Sequence, residues 1–197
     1  MAGKILDTRV VLMELSDVKV APLLTDPTDG ETTYGEFVDL AGVLSLQVSP
    51  EMSSKTLYGD STVMDNYARI TSINFTVTNS VVSYSGLKCI LGGNVSTEGT
   101  EGTEGTEKVT YSITAANATP GYFKLEGKWD YASTDGTVKD AHVVLYKCRL
   151  SEAPDFTIND SSGDFGDCSF SGVAMPTNSD GKWMDMTLNA TASAIGG

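Results

Sequence analysis

The sequence predicts a mainly β protein, and three observations support this fold class. Apolar and polar residues alternate with a period of two in most segments that contain apolar residues. In the clearest segment, 123–131, apolar side chains and Gly127 alternate with Lys124, Glu126, Lys128 and Asp130. Helical spacing occurs in one segment only, and Gly, Asp and Asn clusters mark turns between the alternating segments.

The predicted elements follow this alternation along the chain. The predicted strands are 43–51, 69–78, 109–114, 123–131, 141–150, 168–175 and 182–190. Segment 141–150 is apolar on both faces in its first half, which predicts a strand that is central or lies against a neighbouring subunit. One helix is predicted over 81–91, with Asn79 or Ser80 as its N-cap and Gly92-Gly93 as its stop.

A run of Thr-Glu-Gly triplets interrupts the strands at 97–107. It contains no apolar residue that could join a core, so an exposed acidic loop is predicted at about 96–108. Turns are predicted at 25–30, 134–136 and 178–181. A length of 197 residues fits a single domain that carries this loop as an insertion.

Composition and charge make some function classes improbable. The net charge is −13 and the pI is about 4.3, which opposes tight binding to nucleic acid or to an anionic membrane. The apolar run near the N-terminus is too short and too interrupted by charges for a signal or membrane segment, so synthesis in a cytoplasm is expected. Cys89, Cys148 and Cys168 are expected to be reduced, buried thiols.

No catalytic or ligand-binding motif emerges, so no enzyme activity, cofactor or metal is predicted. His142 is the only histidine, and on an alternating strand it predicts a packed, hydrogen-bonded residue. Asp164-Phe165-Gly166 matches a kinase triplet without the motifs that accompany it.

Two alternative functions stay open. A carbohydrate- or cell-surface-binding β-sandwich could use aromatic residues as a platform, and scattered acids such as Asp164 and Asp167 are the basis for a glycosidase. The platform candidates, for which packing is the favoured role, are Trp129, Tyr131, Trp183 and Tyr122.

A dense set of motifs lies between Tyr34 and Gly92. Thr33-Tyr34-Gly35 precedes the strand 43–51, and Ser54-Lys55-Thr56-Leu57-Tyr58-Gly59-Asp60 follows it. The strand 69–78 and the helix with its glycine stop come next. This order resembles the major tail tube proteins of long-tailed, siphovirus-like bacteriophages. The segments 121–127, 141–150 and 169–188 extend the resemblance more loosely.

The resemblance implies a fold, an assembly and a function. The implied fold is a tail-tube-type β-sandwich or half-barrel with one flanking helix, which closes into a hexameric β-barrel ring. Stacked rings would form a virion tail tube through which DNA passes without tight binding, and a tape measure protein and a tail terminator are the implied partners. The candidate lumen-facing acids are Glu51, Asp60 and Asp65. The candidate inter-subunit strand residues are Leu44, Leu46, Val48, Leu57, Tyr58, Ile73 and Phe75.

Overall fold

The structure is a computed structural model, and it describes residues 11–99, 107–132, 137–157, 167–189, 191 and 193–196. These residues form a mainly β protein of antiparallel strands with one helix, which confirms the predicted fold class at this level. The strands are β1 (Val11–Thr25), β2 (Thr33–Tyr34), β3 (Val38–Asp39), β4 (Val43–Gly59), β5 (Thr62–Asn79), β6 (Asn94–Glu98), β7 (Lys108–Ser112), β8 (Phe123–Ala132), β9 (Val138–Leu150), β10 (Asp155–Thr157), β11 (Asp167–Met175) and β12 (Met184–Leu188). The helix α1 spans Tyr84–Leu91.

Ten strands form one sheet, in the order β2-β1-β8-β9-β11-β5-β4. Strand β9 is its branch point, because its first half pairs with β12 and its second half pairs with β11. Strand β10 adds to β11 and β3 adds to β1, while β6 and β7 form a separate two-stranded sheet. The doubly apolar pattern of 141–150 therefore belongs to a strand with neighbours on both edges, as predicted for a central position.

The core lies between two parts of this sheet that face each other. Phe75 of β5 makes edge-to-face contacts with Phe123 of β8, at a ring-centroid distance of 6.0 Å, and with Phe170 of β11, at 6.4 Å. The base of β4 also approaches β8, since a Cβ atom added to Gly127 would lie 2.5 Å from Cδ2 of Leu46. A glycine at this position therefore lets the two parts of the sheet meet.

Several predicted boundaries need correction. The helix begins at Tyr84, with Ser83 as the N-cap whose Oγ accepts a hydrogen bond from the Gly86 N–H at 3.2 Å. Val81 and Val82, which the prediction included, precede the helix; β-branched side chains lose rotamer freedom inside a helix. The helix ends at Gly92 with φ 84°, and this confirms the predicted glycine stop.

The acidic loop is shorter than predicted at both ends. Residues 96–98 belong to β6 and Lys108 belongs to β7, with Glu98 paired to Lys108 in the ladder. Residues 100–106, the predicted turn at 134–136 and the 164–166 triplet lie outside the described residues. The turn at 178–181 is confirmed; within the predicted turn 25–30, Thr25 is still the last residue of β1 and the chain bends at residues 28–30.

Candidate functional site

Strands β4 and β5 continue far beyond the sheet as an isolated two-stranded hairpin. From Pro50 to Thr71 every residue is exposed except Gly59, which is half-buried. We call residues 51–70 the arm. The ladder holds up to its tip, where Gly59 pairs with Thr62. Asp60 (φ 48°) and Ser61 (φ 63°) form the two-residue turn, and two positive φ values match the twist of a hairpin.

The two faces of the arm differ in charge. Side chains alternate along β4, and each β5 residue directly opposite shares its partner's face. One face, called here the neutral face, carries no ionisable group that is charged at pH 7; its residues are Met52, Ser54, Thr56, Tyr58, Val63, Asn66, Ala68 and Ile70. The other face, called here the charged face, carries Glu51, Lys55, Asp65 and Arg69. Bulges in β5 at Met64 and Thr71 keep the β4 alternation intact.

The arm exposes an unusual amount of apolar surface. Met52 is 71% exposed, Tyr58 is 68% exposed and Met64 is 68% exposed. Leu57, Val63, Tyr67 and Ile70 are also exposed. A two-stranded ribbon without a third strand or a helix against it is at best marginally stable in water. Contiguous apolar surface and unpaired strand edges of this kind are typical of surfaces that bind another chain.

The structure spreads the three predicted lumen acids along the arm. Glu51 lies at the base, where Oε1 accepts a hydrogen bond from Nδ2 of Asn74 at 2.7 Å and Oε2 accepts one from Oγ of Ser72 at 3.2 Å. Asp60 lies at the tip, about 30 Å from Glu51 at the usual rise per strand residue. Asp65 lies between them on β5. They form no single cluster, and Lys55 and Arg69 share the arm with them.

The predicted inter-subunit residues fall into three groups. Leu44, Leu57 and Tyr58 are exposed, at 60% or more of their surface. Leu46 and Val48 are half-buried against the core. Ile73 and Phe75 are 3% and 1% exposed in the core. The prediction for Ile73 and Phe75 therefore needs correction, because these side chains fill the interior of their own chain and present no surface to a neighbour.

A cleft that the sequence did not predict lies beside the base of the arm. It has a volume of about 550 Å³ and opens between β4 and β12. Its lining is largely apolar and comes from strands that are distant in the sequence: Glu14, Leu15, Leu44, Ser45, Leu46, Val48, Pro50, Trp129, Val143, Met184 and Met186. Nε1 of Trp129 is buried and donates to no acceptor among the described residues. A buried N–H without an acceptor is uncommon in folded proteins.

A second and larger cavity, of about 650 Å³, lies between α1, β7 and β10. The rings of Tyr84 and Tyr111 stack at a centroid distance of 6.2 Å on its wall. The hydroxyl of Tyr111 donates to the Gly92 carbonyl at 2.9 Å, so this pair fastens the end of the helix to β7. The four aromatic residues considered for a sugar platform are not arranged as one, since Trp129 is 8% exposed and Tyr131 is 2% exposed.

The outer face of β8 and β9 carries a polar network that holds the C-terminal segment. His142 is buried, and its Nδ1 lies 2.9 Å from Oε1 of Glu126, which confirms the prediction of a packed, hydrogen-bonded histidine. Oδ2 of Asp140 lies 3.1 Å from Nζ of Lys128 and accepts the Ser193 N–H at 2.6 Å. Burial opposes ionisation of Asp140, but the bonds from Ser193 and Lys128 outweigh it and keep its pKa below the ordinary value of 3.8.

The three cysteines are free thiols, as predicted; Cys148 and Cys168 are also buried as predicted, whereas Cys89 is only half-buried. Burial alone raises the pKa of Cys89 to about 12, so its thiolate is scarce near neutral pH. The described residues contain no group of three or more His, Cys, Asp or Glu side chains placed to bind a metal ion. In the same ranges no helix is long and apolar enough to cross a membrane.

No protein-family model matches the chain, and a search of curated proteins found no match.

Proposed function

We propose that this chain is a structural protein that polymerises with copies of itself through the arm. The observation that carries the proposal is the arm itself: a twenty-residue hairpin, exposed on both faces, whose neutral face is rich in apolar side chains. Such a hairpin costs solubility unless it is covered by another chain. When copies of this chain bind one another, each copy can cover the arm of another, and no further partner is needed.

This surface and the sequence resemblance together support a more specific proposal, namely that the chain is a tail tube protein of a long-tailed bacteriophage. Six copies would close into a ring, with the curled sheets side by side in a β-barrel, and rings would stack into the tube of the virion tail. A heterologous contact that repeats around an axis generates rings, and one that repeats along an axis generates a filament. A tape measure protein and a tail terminator would be the other tail partners.

The acidic balance of the chain suits a conduit for DNA. Six copies would carry six times −13, or −78, and a lumen that repels phosphates lets DNA pass without binding. The arm contributes little of this charge. Its acids Glu51, Asp60 and Asp65 are offset by Lys55 and Arg69. The repulsion would therefore come from the whole ring more than from the arm.

The first test is electron microscopy of the purified chain in negative stain, together with sedimentation at several concentrations. Tubes or six-fold rings are the expected result. Monomers at every concentration would refute the proposal, and monomers that bind glycans on an array would favour the carbohydrate-binding alternative.

The second test concerns DNA. Assembled tubes should bind duplex DNA more weakly than the Kd of about 10⁻⁴ to 10⁻⁶ M that non-specific binders reach near physiological salt. Reversing Glu51, Asp60 and Asp65 to lysine should leave assembly intact and create salt-sensitive DNA binding.

A matched control separates position from total charge. Asp29, Glu31 and Glu36 are exposed acids outside the arm, and reversing these three changes the net charge by the same amount. If both triple variants bind DNA equally, the three arm acids have no special place at the lumen. Micromolar DNA binding by unmodified tubes would contradict the role of the charge altogether.

A further inference from the structure

The cleft between β4 and β12 is an open entrance to the core. Leu44 on β4 is 63% exposed, Met186 on β12 is 62% exposed, and both line the cleft. Among the described lining residues Glu14 alone is charged. A ligand for this cleft must therefore be apolar for most of its contact surface.

The indole of Trp129 forms part of the wall of the cleft. Trp129 is 8% exposed, and its Nε1 is buried without an acceptor among the described residues although the ring lines the cleft. Because this N–H has no accessible surface, a docked partner meets other atoms of the ring, and the N–H reports the change in packing. The required partner surface is therefore largely apolar and uncharged.

The neutral face of the arm has this composition. Met52, Tyr58, Val63 and Ile70 supply apolar surface, while Ser54, Thr56 and Asn66 between them are polar and uncharged. A volume of about 550 Å³ holds about three large side chains at the packing density of protein interiors. On the basis of the proposed function, we propose that the cleft receives the neutral face of the arm of a second copy of this chain.

The arm cannot fill the cleft of its own molecule. It is the direct continuation of β4, whose residues Leu44 to Pro50 form one wall of that cleft. The ladder between β4 and β5 continues through the base of the arm, where Glu51 pairs with Ser72. Folding the arm back would break this ladder, so the occupant is a neighbouring molecule.

Charge and area also agree with a second copy. Two chains of charge −13 repel each other, and a contact between an uncharged face and a nearly uncharged cleft adds no buried repulsion. The four large side chains of the neutral face and their smaller neighbours bury on the order of 500 Å² per partner, somewhat below a standard stable interface. One contact is therefore weak, and each molecule in a ring makes two.

The contact is heterologous, because the arm of one molecule meets a different surface on the next. The two surfaces that form the contact can therefore be removed in two separate variants. Met52→Asp with Tyr58→Asp removes the donor surface, and Leu44→Asp with Met186→Asp removes the acceptor surface. All four positions are exposed, so both variants should fold, which circular dichroism verifies. Each variant alone should be monomeric while the wild type assembles.

Mixing the two variants is the decisive step. The mixture retains one intact arm and one intact cleft, so sedimentation should show a 1:1 heterodimer at tens of micromolar and no larger species. The indole N–H resonance of Trp129, assigned with a Trp183→Phe variant, should shift when the heterodimer forms, because the Trp129 ring lines the cleft. As a matched control, Leu57→Asp with Tyr67→Asp places the same charges on the charged face, and this variant should still assemble.

The outcomes separate this inference from the proposed function. If the wild type forms tubes but the mixture stays monomeric, or if the control variant loses assembly as the neutral-face variant does, the arm does not dock in the cleft and the tube proposal survives. If the wild type never assembles, both fail. A heterodimer without movement of the Trp129 resonance would place the arm on another surface and would also overturn the inference.

Discussion

Removing the arm should leave the stability of the single chain intact and abolish assembly. The change replaces residues 52–71 with Asn-Gly, so that Glu51 and Ser72, which already pair, are joined by a two-residue hairpin turn. The arm buries no side chain in the core, so its removal opens no cavity. The hydrogen bonds from Ser72 and Asn74 to Glu51 are retained.

The magnitude follows from loop closure and from the weak stability of a lone ribbon. Shortening the connection from twenty residues to two is a little more than three halvings, worth about 2 kcal/mol in favour of the folded state at roughly 0.6 kcal/mol each. Against this stands the stability of the ribbon, which is close to zero on its own. We expect the free energy of unfolding to stay constant or to rise by up to about 2 kcal/mol, with a Tm increase of about 8 °C at most.

Urea unfolding of the monomeric protein measures both quantities, with circular dichroism as the signal. The m value should fall only slightly, because residues that are exposed in the folded state add little to the surface that unfolding exposes. A loss of more than about 1 kcal/mol of stability would show that the arm belongs to the folding unit, and would refute the reasoning. Tubes formed by the shortened chain would refute the role of the arm in assembly.

Three further predictions concern the folded chain. Asp140→Asn should lower the free energy of unfolding by about 2–4 kcal/mol at pH 7, because it breaks the pair with Lys128. The lowered pKa of Asp140 stabilises the fold above pH 3.8, so in urea unfolding the deficit should shrink as the pH falls through the folded-state pKa. Gly172→Ala should cost about 1–3 kcal/mol, since the added Cβ would lie 2.4 Å from Cζ of Phe75; a thermal melt tests this, and an unchanged Tm would contradict the packing. Burial raises the pKa of the Cys148 thiol, so a thiol reagent should label it only at the rate of unfolding, and fast labelling of folded protein would contradict its burial.

Sequence alone could predict the strands that have one face in the core. In β8, β9 and β11 a buried face imposes the alternation that a period of two detects. Strand β1 is not among the predicted strands, although Val18 and Val20 are buried and alternate with Asp17 and Lys19. Its register shifts on either side of Leu15, and such bulges move the alternation to the other face.

The arm and the cleft could be predicted only in part. The sequence predicts that the element 54–60 belongs to an inter-subunit surface, but it does not show that β4 and β5 pair continuously to Gly59, because neither face of this ribbon is buried and no alternation marks it. The cleft is assembled from β1, β4, β8, β9 and β12, and no local pattern relates strands so far apart. Ile73 and Phe75 carry the same alternation as any core strand, which is where they lie.

The tip of the arm has a consequence for the kinetics of polymerisation. Asp60 and Ser61 hold positive φ values that glycine would adopt without strain, so the turn stabilises the ribbon less than an Asn-Gly turn would. The ribbon then becomes fully ordered only when it docks, so the first contacts between free chains carry the entropic cost of ordering it. A chain that adds to a growing end meets partners that are already ordered and carries less of this cost. Growth should therefore show a lag and a critical concentration, and short preformed tubes should abolish the lag. Under the proposed assembly, the chain would therefore stay dispersed at low concentration and add mainly to ends that already exist.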